Sequence, residues 1–471
     1  MKYELVVGLE THVELSTKTK IFCNCINDFG APPNTHCCPV CIGHPGTLPK
    51  LNRGVVNLAV RAGLATNCKI NLKSKMDRKN YVYPDLSKAY QISQYDLPIC
   101  QDGYVELDSG KKIRINRIHM EEDAGKLVHA SAGVCIDYNR AGVPLIEIVT
   151  EPDISSSEEA KEYVEKLQSI LRYAGVSDCK MQEGSMRCDV NISVKPTGSK
   201  EFGTRTEIKN MNSITFMTKA IEYEYERQSD VLDDGGEVIQ QTLRYNENNN
   251  STESMRDKED AQDYRYFRDP DLIDIVLTED EIQGIKNLLP EMPQQRLKNY
   301  IEMGISQADA QQLVKYKNVS DFFEKASKEV KCPKTVSNFI IGEIFRRIET
   351  ESEKEKFNVA VTPEGLAELV KLLESNKINM NLAKKTLSQM LQSGKGVSEF
   401  ISENDMRGIS PEELEKMCEE AIENNSKAVQ DYLSGKEKAL KALLGNVMKQ
   451  TRGRGNAQEI EQKLVDLIKK C

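Results

Sequence analysis

The sequence lacks any long apolar run. No stretch of its 471 residues approaches the roughly 18 consecutive apolar residues that a membrane helix needs. The N-terminus also lacks the apolar core and cleavage site of a secretory leader, and Glu4 places a charge there at once. A charged fraction of 29% and a mean hydropathy of -0.52 are typical of globular proteins. We therefore expect a cytoplasmic protein without membrane contact.

The phosphate-binding loop of the common nucleotide triphosphatases is missing as well. That motif needs a Gly-Lys pair with another glycine five positions earlier, and no lysine in this sequence meets the requirement. Any ATP chemistry would therefore depend on a metal ion held by side chains.

Histidine is scarce, and metal-binding side chains are concentrated near the N-terminus. All five histidines lie in the first 129 residues, and five of the thirteen cysteines lie between Cys23 and Cys41. An odd number of cysteines in a large chain without a leader argues against a disulfide framework. Reduced thiols or metal ligands are expected instead.

The net charge of -9 excludes a uniformly basic nucleic-acid-binding surface, but the charge is segregated. Residues 402–434 carry nine acidic and three basic side chains, whereas residues 435–471 carry nine basic and four acidic ones. This pattern favours phosphate binding at the C-terminal end, with a solvated helix face as the alternative. The cations concerned are Lys436, Lys438, Lys441, Lys449, Arg452 and Arg454.

The periodicity predicts an α+β protein of three domains: a mixed α/β body over residues 1–292, a helical connector over 293–400 and a helical tail over 401–471. Strands are predicted at residues 4–15, 145–150 and 188–194, and helices at 54–65 and 158–174. The polar residues 246–262 are predicted to form an exposed loop.

Two closely spaced cysteine pairs, Cys23 with Cys25 and Cys38 with Cys41, are separated by a dozen residues. Four thiolates brought together in this way suit a tetrahedral, structural Zn²⁺ site. His36 or Cys37 could replace one ligand, and four buried free thiols are the alternative.

Carboxylates and imidazoles form a second pattern. Glu10 and His12 share one face of the first predicted strand, because side chains alternate along a strand. Residues 119–123 (HMEED) and Glu147, which lies within an apolar strand, add further ligands. An ionised carboxylate in such a strand requires a cation or hydrogen-bond donors. Oxygen-rich ligands with an imidazole suit Mg²⁺ or Mn²⁺, while a solvated strand face is the alternative.

Residues 77–85 (DRKNYVYPD) interleave basic and aromatic side chains. This mixture is typical of sites that bind phosphate and a stacked base. Core tyrosines beside surface lysines would have the same pattern.

Several longer strings resemble one family, the B subunits of tRNA-dependent amidotransferases. They are residues 7–15 (VGLETHVEL), 38–46 (CPVCIGHPG), 77–85 (DRKNYVYPD), 90–94 (YQISQ), 119–126 (HMEEDAGK), 144–153 (PLIEIVTEPD), 183–191 (EGSMRCDVN) and 207–213 (EIKNMNS). The resemblance extends over the whole chain. It implies a cradle-shaped body related to the catalytic domain of glutamine synthetase, a helical domain and a tRNA-contacting tail.

The resemblance also implies a reaction, which is that of a carbon–nitrogen ligase with glutamine as the amide donor. ATP, with Mg²⁺, phosphorylates the side-chain carboxylate of Glu or Asp on a misacylated tRNA, and ammonia then displaces phosphate. The ammonia would come from an amidase-type A subunit, and a small C subunit would complete a heterotrimer.

Carried over by position, the metal-binding and catalytic residues of the family correspond to Glu10, His12, Glu122 and Glu147. The candidates for holding the tRNA 3′ end or lining the ammonia path are Lys79, Tyr81, Tyr83 and Lys88. Two other classes remain open. A small-molecule ligase related to glutamine synthetase would not need the basic tail, and a zinc-stabilised RNA-binding module would not need Glu147 in an apolar strand.

Overall fold

The computed structural model describes residues 2–131, 133–257, 263–402, 411–434, 436, 438–450 and 457–468. The chain divides into two compact units, Met1–Met292 and Pro293–Cys471. The first is mixed α+β and the second is helical, so the predicted α+β class is confirmed. Within the described residues, no helix has the length and apolarity that crossing a membrane would require. The division into three functional domains stays a prediction.

Strands dominate the described part of the first unit. In chain order they are β1 Tyr3–Glu14, β2 Lys69–Ile70, β3 Lys73–Ser74, β4 Asp77–Asn80, β5 Tyr90–Ser93, β6 Cys100–Glu106, β7 Lys112–Glu122, β8 Lys126–Ala130, β9 Gly133–Asp137, β10 Pro144–Thr150, β11 Met186–Pro196, β12 Thr206–Met211, β13 Gln241–Asn246, β14 Ser251–Asp257, β15 Phe267–Arg268 and β16 Ile275–Val276. The helices of this unit are α1 Arg53–Ala65, α2 Ser157–Tyr173, α3 Ile214–Asp233 and α4 Glu279–Asn287.

Nine of these strands form one sheet in the order β14-β13-β12-β11-β1-β10-β7-β6-β2. All neighbours are antiparallel except β12 and β13. The central β1 pairs with β10 so that His12 lies opposite Glu147, and β10 pairs with β7 so that Glu147 lies opposite His119. The register therefore aligns three polar side chains across the middle of the sheet.

Helices cover one face of the sheet because most inward side chains of the central strands are apolar. Val7, Leu9 and Val13 on β1 are buried in the same core as Ile146 and Ile148 on β10. Strand alternation then sends the residues between them to the opposite face. That opposite face carries His12 and Glu147, among other polar side chains of the sheet.

The predicted helices form where capping residues begin them. The Asn52 side chain accepts a hydrogen bond from the Gly54 amide at the start of α1, and Ser156 accepts one from the Glu159 amide at the start of α2. Both bonds satisfy amides that lack an intrahelical partner. α1 and α2 each begin one residue before the predicted start.

The prediction of a loop over residues 246–262 is wrong for its central part. Residues Ser251–Asp257 form β14, which pairs antiparallel with β13 at the edge of the large sheet. Polar composition does not exclude an edge strand, because the open edge of β13 supplies backbone partners.

Short strands complete the first unit. β15, β4 and β5 form a three-stranded sheet, β16 pairs with β3, and β8 pairs with β9. The Ser93 hydroxyl, at the end of β5, lies 3.5 Å from a carboxylate oxygen of Glu121 on β7. The three-stranded sheet therefore borders the polar face of the large one.

The described part of the second unit is helical. Its α-helices are α5 Pro293–Glu302, α6 Gln307–Val314, α7 Lys317–Ser327, α8 Pro333–Phe339, α9 Glu351–Lys356, α10 Pro363–Glu374, α11 Met380–Ser393, α12 Pro411–Glu423, α13 Ser426–Leu433, α14 Lys438–Gln450 and α15 Ala457–Ile468. A π-helical turn, Ile340–Ile344, extends α8. Two separate hydrophobic cores are present, one among α5 to α11 and one among α12 to α15.

Candidate metal sites and their surroundings

The loop between β1 and α1 brings Cys23, Cys25, Cys38 and Cys41 together. Their sulfur atoms all lie within 4.8 Å of one another. The Cys41 Sγ lies 3.9 Å from the Cys38 Sγ and 4.0 Å from the Cys25 Sγ. The two cysteine pairs found in the sequence therefore meet in space.

This group fits a tetrahedral zinc ion. Zn–S bonds of about 2.3 Å in tetrahedral geometry separate the sulfur atoms by roughly 3.8 Å, close to the observed spacing. A hydrogen bond from the Cys23 thiol lowers the pKa of Cys41, which favours the thiolate form that binds metal. The four thiols leave no open position for a substrate, which suits a structural ion.

A second cluster lies on the polar face of the large sheet. His12 on β1, Glu147 on β10 and Glu121 on β7 offer ligand atoms within 4.8 Å of one another. The His12 Nε2 is 3.2 Å from a Glu121 oxygen and 3.6 Å from a Glu147 oxygen. Octahedral Mg²⁺ with bonds of about 2.1 Å separates adjacent ligands by roughly 3.0 Å, so the donor set fits this ion.

Charge within this cluster is tightly coupled. Burial acts to lower the pKa of His12, but its hydrogen bond to Glu121 and the charges of Glu121 and Glu147 outweigh burial and raise the pKa to about 9. Burial acts to raise the pKa of Glu147, and the neighbouring His119 outweighs it, so that this pKa is lowered. Burial acts to raise the pKa of Glu121 as well, and its hydrogen bond to His12 outweighs burial, so that this pKa is also lowered. Both carboxylates are therefore ionised at neutral pH and suit a bound cation.

His119 supports the cluster from β7. Its Nε2 lies 3.1 Å from a Glu147 oxygen. Its Nδ1 is buried, and no group of the described chain bonds to it. The apolar setting of Glu147 noted in the sequence is thus compensated by two imidazoles, which lie on either side of it.

One member of the metal set assigned from the resemblance, Glu122, lies apart from this cluster in the structure, and its role as a metal ligand stays a prediction. The carboxylate of Glu122 does not face the cluster, because successive residues of β7 point to opposite sides and Glu121 has the parity of His119. Instead, both Glu122 oxygens accept hydrogen bonds from the Lys88 Nζ, at 2.5 and 2.6 Å. Glu121 shares the parity of His119, but this signal applies only once residues 112–122 are known to form a strand.

Glu10 lies beside the cluster and not within it. It accepts a hydrogen bond of 2.8 Å from the Asn191 amide on β11. Burial, followed by the charge of Glu147, raises the pKa of Glu10. Its role as a metal ligand stays a prediction.

A group of charged residues next to Glu10 was not predicted from the sequence. The Lys209 Nζ lies 2.9 Å from a Glu207 oxygen and 3.5 Å from an Asp189 oxygen. Burial acts to lower the pKa of Lys209, and the charges of Asp189 and Glu207 outweigh it and raise the pKa. Glu207, Lys209 and Asp189 thus extend the polar face across β11 and β12.

Lys79 and Tyr81 border the carboxylate–histidine cluster. Lys79 is among the charges that lower the pKa of Glu147, and Glu121 is among those that raise the pKa of Tyr81 after burial. Tyr83 is 55% exposed. The structure therefore places Lys79 and Tyr81 near the cluster and Tyr83 in solvent.

Two further tyrosines come from a distant segment. The Lys79 Nζ lies 4.7 Å from the ring centroid of Tyr264, whose ring meets that of Tyr266 edge to face at 6.1 Å. The Asn80 amide holds this segment by donating to the Tyr264 carbonyl at 2.9 Å. No local pattern could have found these residues, since the pairing of β15 with β4 brings them here.

In the tail, Lys436, Lys438, Lys441 and Lys449 are exposed. Lys438, Lys441 and Lys449 lie on α14, whose apolar side is buried in the last hydrophobic core. Arg452 and Arg454 lie outside the described residues. The tail therefore presents several cations to solvent, as a phosphate-binding surface would require.

Two family models match the chain. One, described as the GatB/GatE catalytic domain, matches residues 5–283, and one described as the GatB domain matches residues 321–468. The first covers the large sheet and both metal clusters. The second covers most of the helical unit.

Curated relatives are similar over the full length. The B subunit of aspartyl/glutamyl-tRNA(Asn/Gln) amidotransferase from Thermoanaerobacter pseudethanolicus is 52% identical over 476 residues, covering 100% of both chains. The protein of the same name from Caldicellulosiruptor saccharolyticus is 49% identical over 479 residues, again covering 100% of both. That of Clostridium kluyveri is 48% identical over 472 residues, covering 99% of each. Together with the matching domains, these similarities show that the chain belongs to the family of aspartyl/glutamyl-tRNA(Asn/Gln) amidotransferase B subunits.

Proposed function

We propose that this chain is the tRNA-binding and carboxylate-activating subunit of a glutamine-dependent amidotransferase. Its substrates would be Glu-tRNA(Gln), Asp-tRNA(Asn) or both. ATP would phosphorylate the side-chain carboxylate of the misattached amino acid, and ammonia would then displace phosphate to leave the amide. The observation that carries this proposal is the His12, Glu121 and Glu147 cluster on the polar face of the sheet.

In this proposal His12, Glu121 and Glu147 hold Mg²⁺, and Glu10, on the same face of β1 as His12, would take part through water. The ion supplies positive charge that offsets the charge gathered between ATP and the substrate carboxylate. The protein keeps both carboxylates ionised by placing imidazoles beside them. It also limits water, since the side chains of Glu121 and Glu147 are only 3% and 12% exposed.

Lys79 and Tyr81 would hold the acylated 3′ end of the tRNA above the cluster, together with Tyr264 and Tyr266. A cation and aromatic rings suit a phosphate and a terminal base. Lys88, whose ammonium is bonded to Glu122, would either help to hold the tRNA 3′ end or line the path of ammonia. These roles are proposed from proximity to the cluster.

The large sheet would form the floor of a cradle related to the glutamine synthetase catalytic domain. Residues 1–292 would carry the chemistry, 293–400 would connect and 401–471 would hold the tRNA body through phosphates. An amidase A subunit would release ammonia from glutamine, and a small C subunit would complete a cytoplasmic heterotrimer. Zn²⁺ would be held by the four cysteines.

The test is reconstitution with candidate A and C subunits. The complex is supplied with glutamine, ATP and each misacylated tRNA in turn, and the amide product and phosphate are measured. We expect ATP hydrolysis that depends on misacylated tRNA, with amide formed in equal amount. A complex that hydrolyses glutamine but leaves both misacylated tRNAs unchanged would overturn the proposal.

A further inference from the structure

The last part of the four-cysteine loop rests on the segment that carries Lys88. The Ser87 hydroxyl donates a hydrogen bond of 3.0 Å to the Cys41 carbonyl. A Cβ built on Gly43 would lie 2.8 Å from the Ser87 carbonyl oxygen and 3.0 Å from the Lys88 Cγ. The loop therefore meets this segment at van der Waals distance, and only glycine leaves room for the contact.

The first part of the same loop also approaches Lys88. Phe22, which precedes Cys23, is buried, and its ring centroid lies 5.9 Å from the Lys88 Nζ. The Lys88 side chain is 16% exposed, so few other positions are open to it. Both parts of the four-cysteine loop thus border the side chain of Lys88.

Lys88 in turn holds Glu122, the residue that follows Glu121 on β7. Its Nζ donates to both Glu122 oxygens, and one of them also accepts from the Ile92 amide at 2.9 Å. A displacement of Lys88 would therefore disturb the position of β7, the strand that carries Glu121. The contacts run without a gap from Cys41, through Ser87 and Lys88, to β7.

We propose that the four-cysteine loop positions Lys88, with Gly43 and Ser87 as the positioning residues. Metal binding to the cysteines holds residues 41–43 in place, and their contact with Ser87 holds the Lys88 ammonium on Glu122. The loop would then be coupled to the reaction site, in addition to stabilising the fold. A role of Lys88 in the reaction rests on the proposed function, whereas the coupling between the four-cysteine loop and Lys88 does not depend on that function.

Two glycines of the loop provide a matched pair of variants. Gly43 and Gly46 both have positive φ, at +71° and +85°, so alanine strains the backbone at either position. A Cβ on Gly46 meets nothing within 4 Å, whereas one on Gly43 strikes Ser87 and Lys88. Gly43→Ala therefore tests the contact, and Gly46→Ala controls for strain.

The measurement is the acetylation rate of Lys88 in the full zinc-loaded chain, without tRNA or ATP, followed by mass spectrometry. The exposed Lys126 serves as the internal reference. We expect Gly43→Ala to raise the relative rate roughly tenfold, the factor that corresponds to loss of one charged hydrogen bond. Gly46→Ala should change the relative acetylation rate of Lys88 by less than about twofold. The zinc content should stay at one ion per chain in both glycine variants.

Ser87→Ala removes the hydrogen bond to Cys41 without strain and serves if Gly43→Ala does not fold. It should raise the rate in the same direction, as should removal of zinc from the wild-type chain by a chelator. Equal Lys88 rates in the two glycine variants, or an unchanged rate after chelation, would overturn the coupling. In the reconstituted complex, Gly43→Ala should lower the kcat for amidation and leave the KM for tRNA nearly unchanged. Faster acetylation with normal amidation would support the coupling and remove Lys88 from the proposed reaction.

Discussion

The neighbouring carboxylates Glu121 and Glu122 offer a sharp test of the metal site. The structure directs Glu121 to the cluster and Glu122 to Lys88, whereas the family resemblance pointed to Glu122. Replacing each by glutamine in turn keeps its shape and removes its charge. The two variants differ by one position on one strand, so each controls for the other.

The magnitude follows from the contacts of Glu121. Its side chain is 3% exposed and lies 3.2 Å from the His12 Nε2. Loss of even an outer-shell partner of a metal site costs about 10- to 100-fold in metal affinity, and a carboxylate that itself binds the ion contributes at least as much. Because Glu121 is one of only two carboxylates in the cluster, Glu121→Gln should weaken binding of a divalent cation by at least about 10- to 100-fold. Glu122→Gln should change this affinity by less than about threefold, because its partner is Lys88.

The assay is titration of the full chain with Mn²⁺, followed by electron paramagnetic resonance, with thermal melting as the control for folding. The tRNA-dependent ATP hydrolysis of the reconstituted complex is measured in parallel and should fall with Mn²⁺ affinity in Glu121→Gln. If Glu122→Gln loses Mn²⁺ binding while Glu121→Gln keeps it, the assignment from the structure is wrong.

Three further outcomes are expected. Replacing both Cys38 and Cys41 by serine should abolish zinc binding and lower the melting temperature, because metal binding is coupled to folding of the loop; zinc-free wild-type chain with four freely titrating thiols would contradict this. In the metal-free chain, the pKa of His12 is raised to about 9 from an unfolded-state value of about 6.5. Protonated His12 therefore stabilises the fold fully below about pH 6.5, and this stabilisation is lost as the pH rises through 9. The free energy of unfolding, measured with urea, should fall by about 1–3 kcal/mol over that interval, and His12→Gln should remove the slope. Changing Lys436, Lys438, Lys441 and Lys449 to glutamine should reduce the salt dependence of tRNA binding by about three units of slope, and an unchanged slope would mean that these lysines only face solvent.

Local patterns determined much of the first unit. The strands around His12 and Glu147 and the helix capped by Ser156 occur within one or two residues of their predicted bounds. Alternation and capping depend on neighbours in the chain, so they can be recognised without the fold. The two cysteine pairs belong to the same class, because their spacing alone suits one tetrahedral ion.

Other features depended on partners that are distant in sequence. Residues Ser251–Asp257 form a strand only because β13 offers them an open edge. Tyr264 and Tyr266 reach the candidate site because the strand that follows them pairs with β4, almost two hundred residues earlier. The residues next to them in the sequence do not indicate that these tyrosines lie at the candidate site.

The sequence by itself therefore determined the ligand types, the two strands that carry His12 and Glu147, and the family to which these residues point. Only the tertiary structure decided which of two adjacent glutamates faces the histidines, and that Lys88 lies between the four-cysteine loop and β7. The physical reason is that a side chain's direction follows from strand parity and register, and these are set by burial of apolar side chains across the whole sheet.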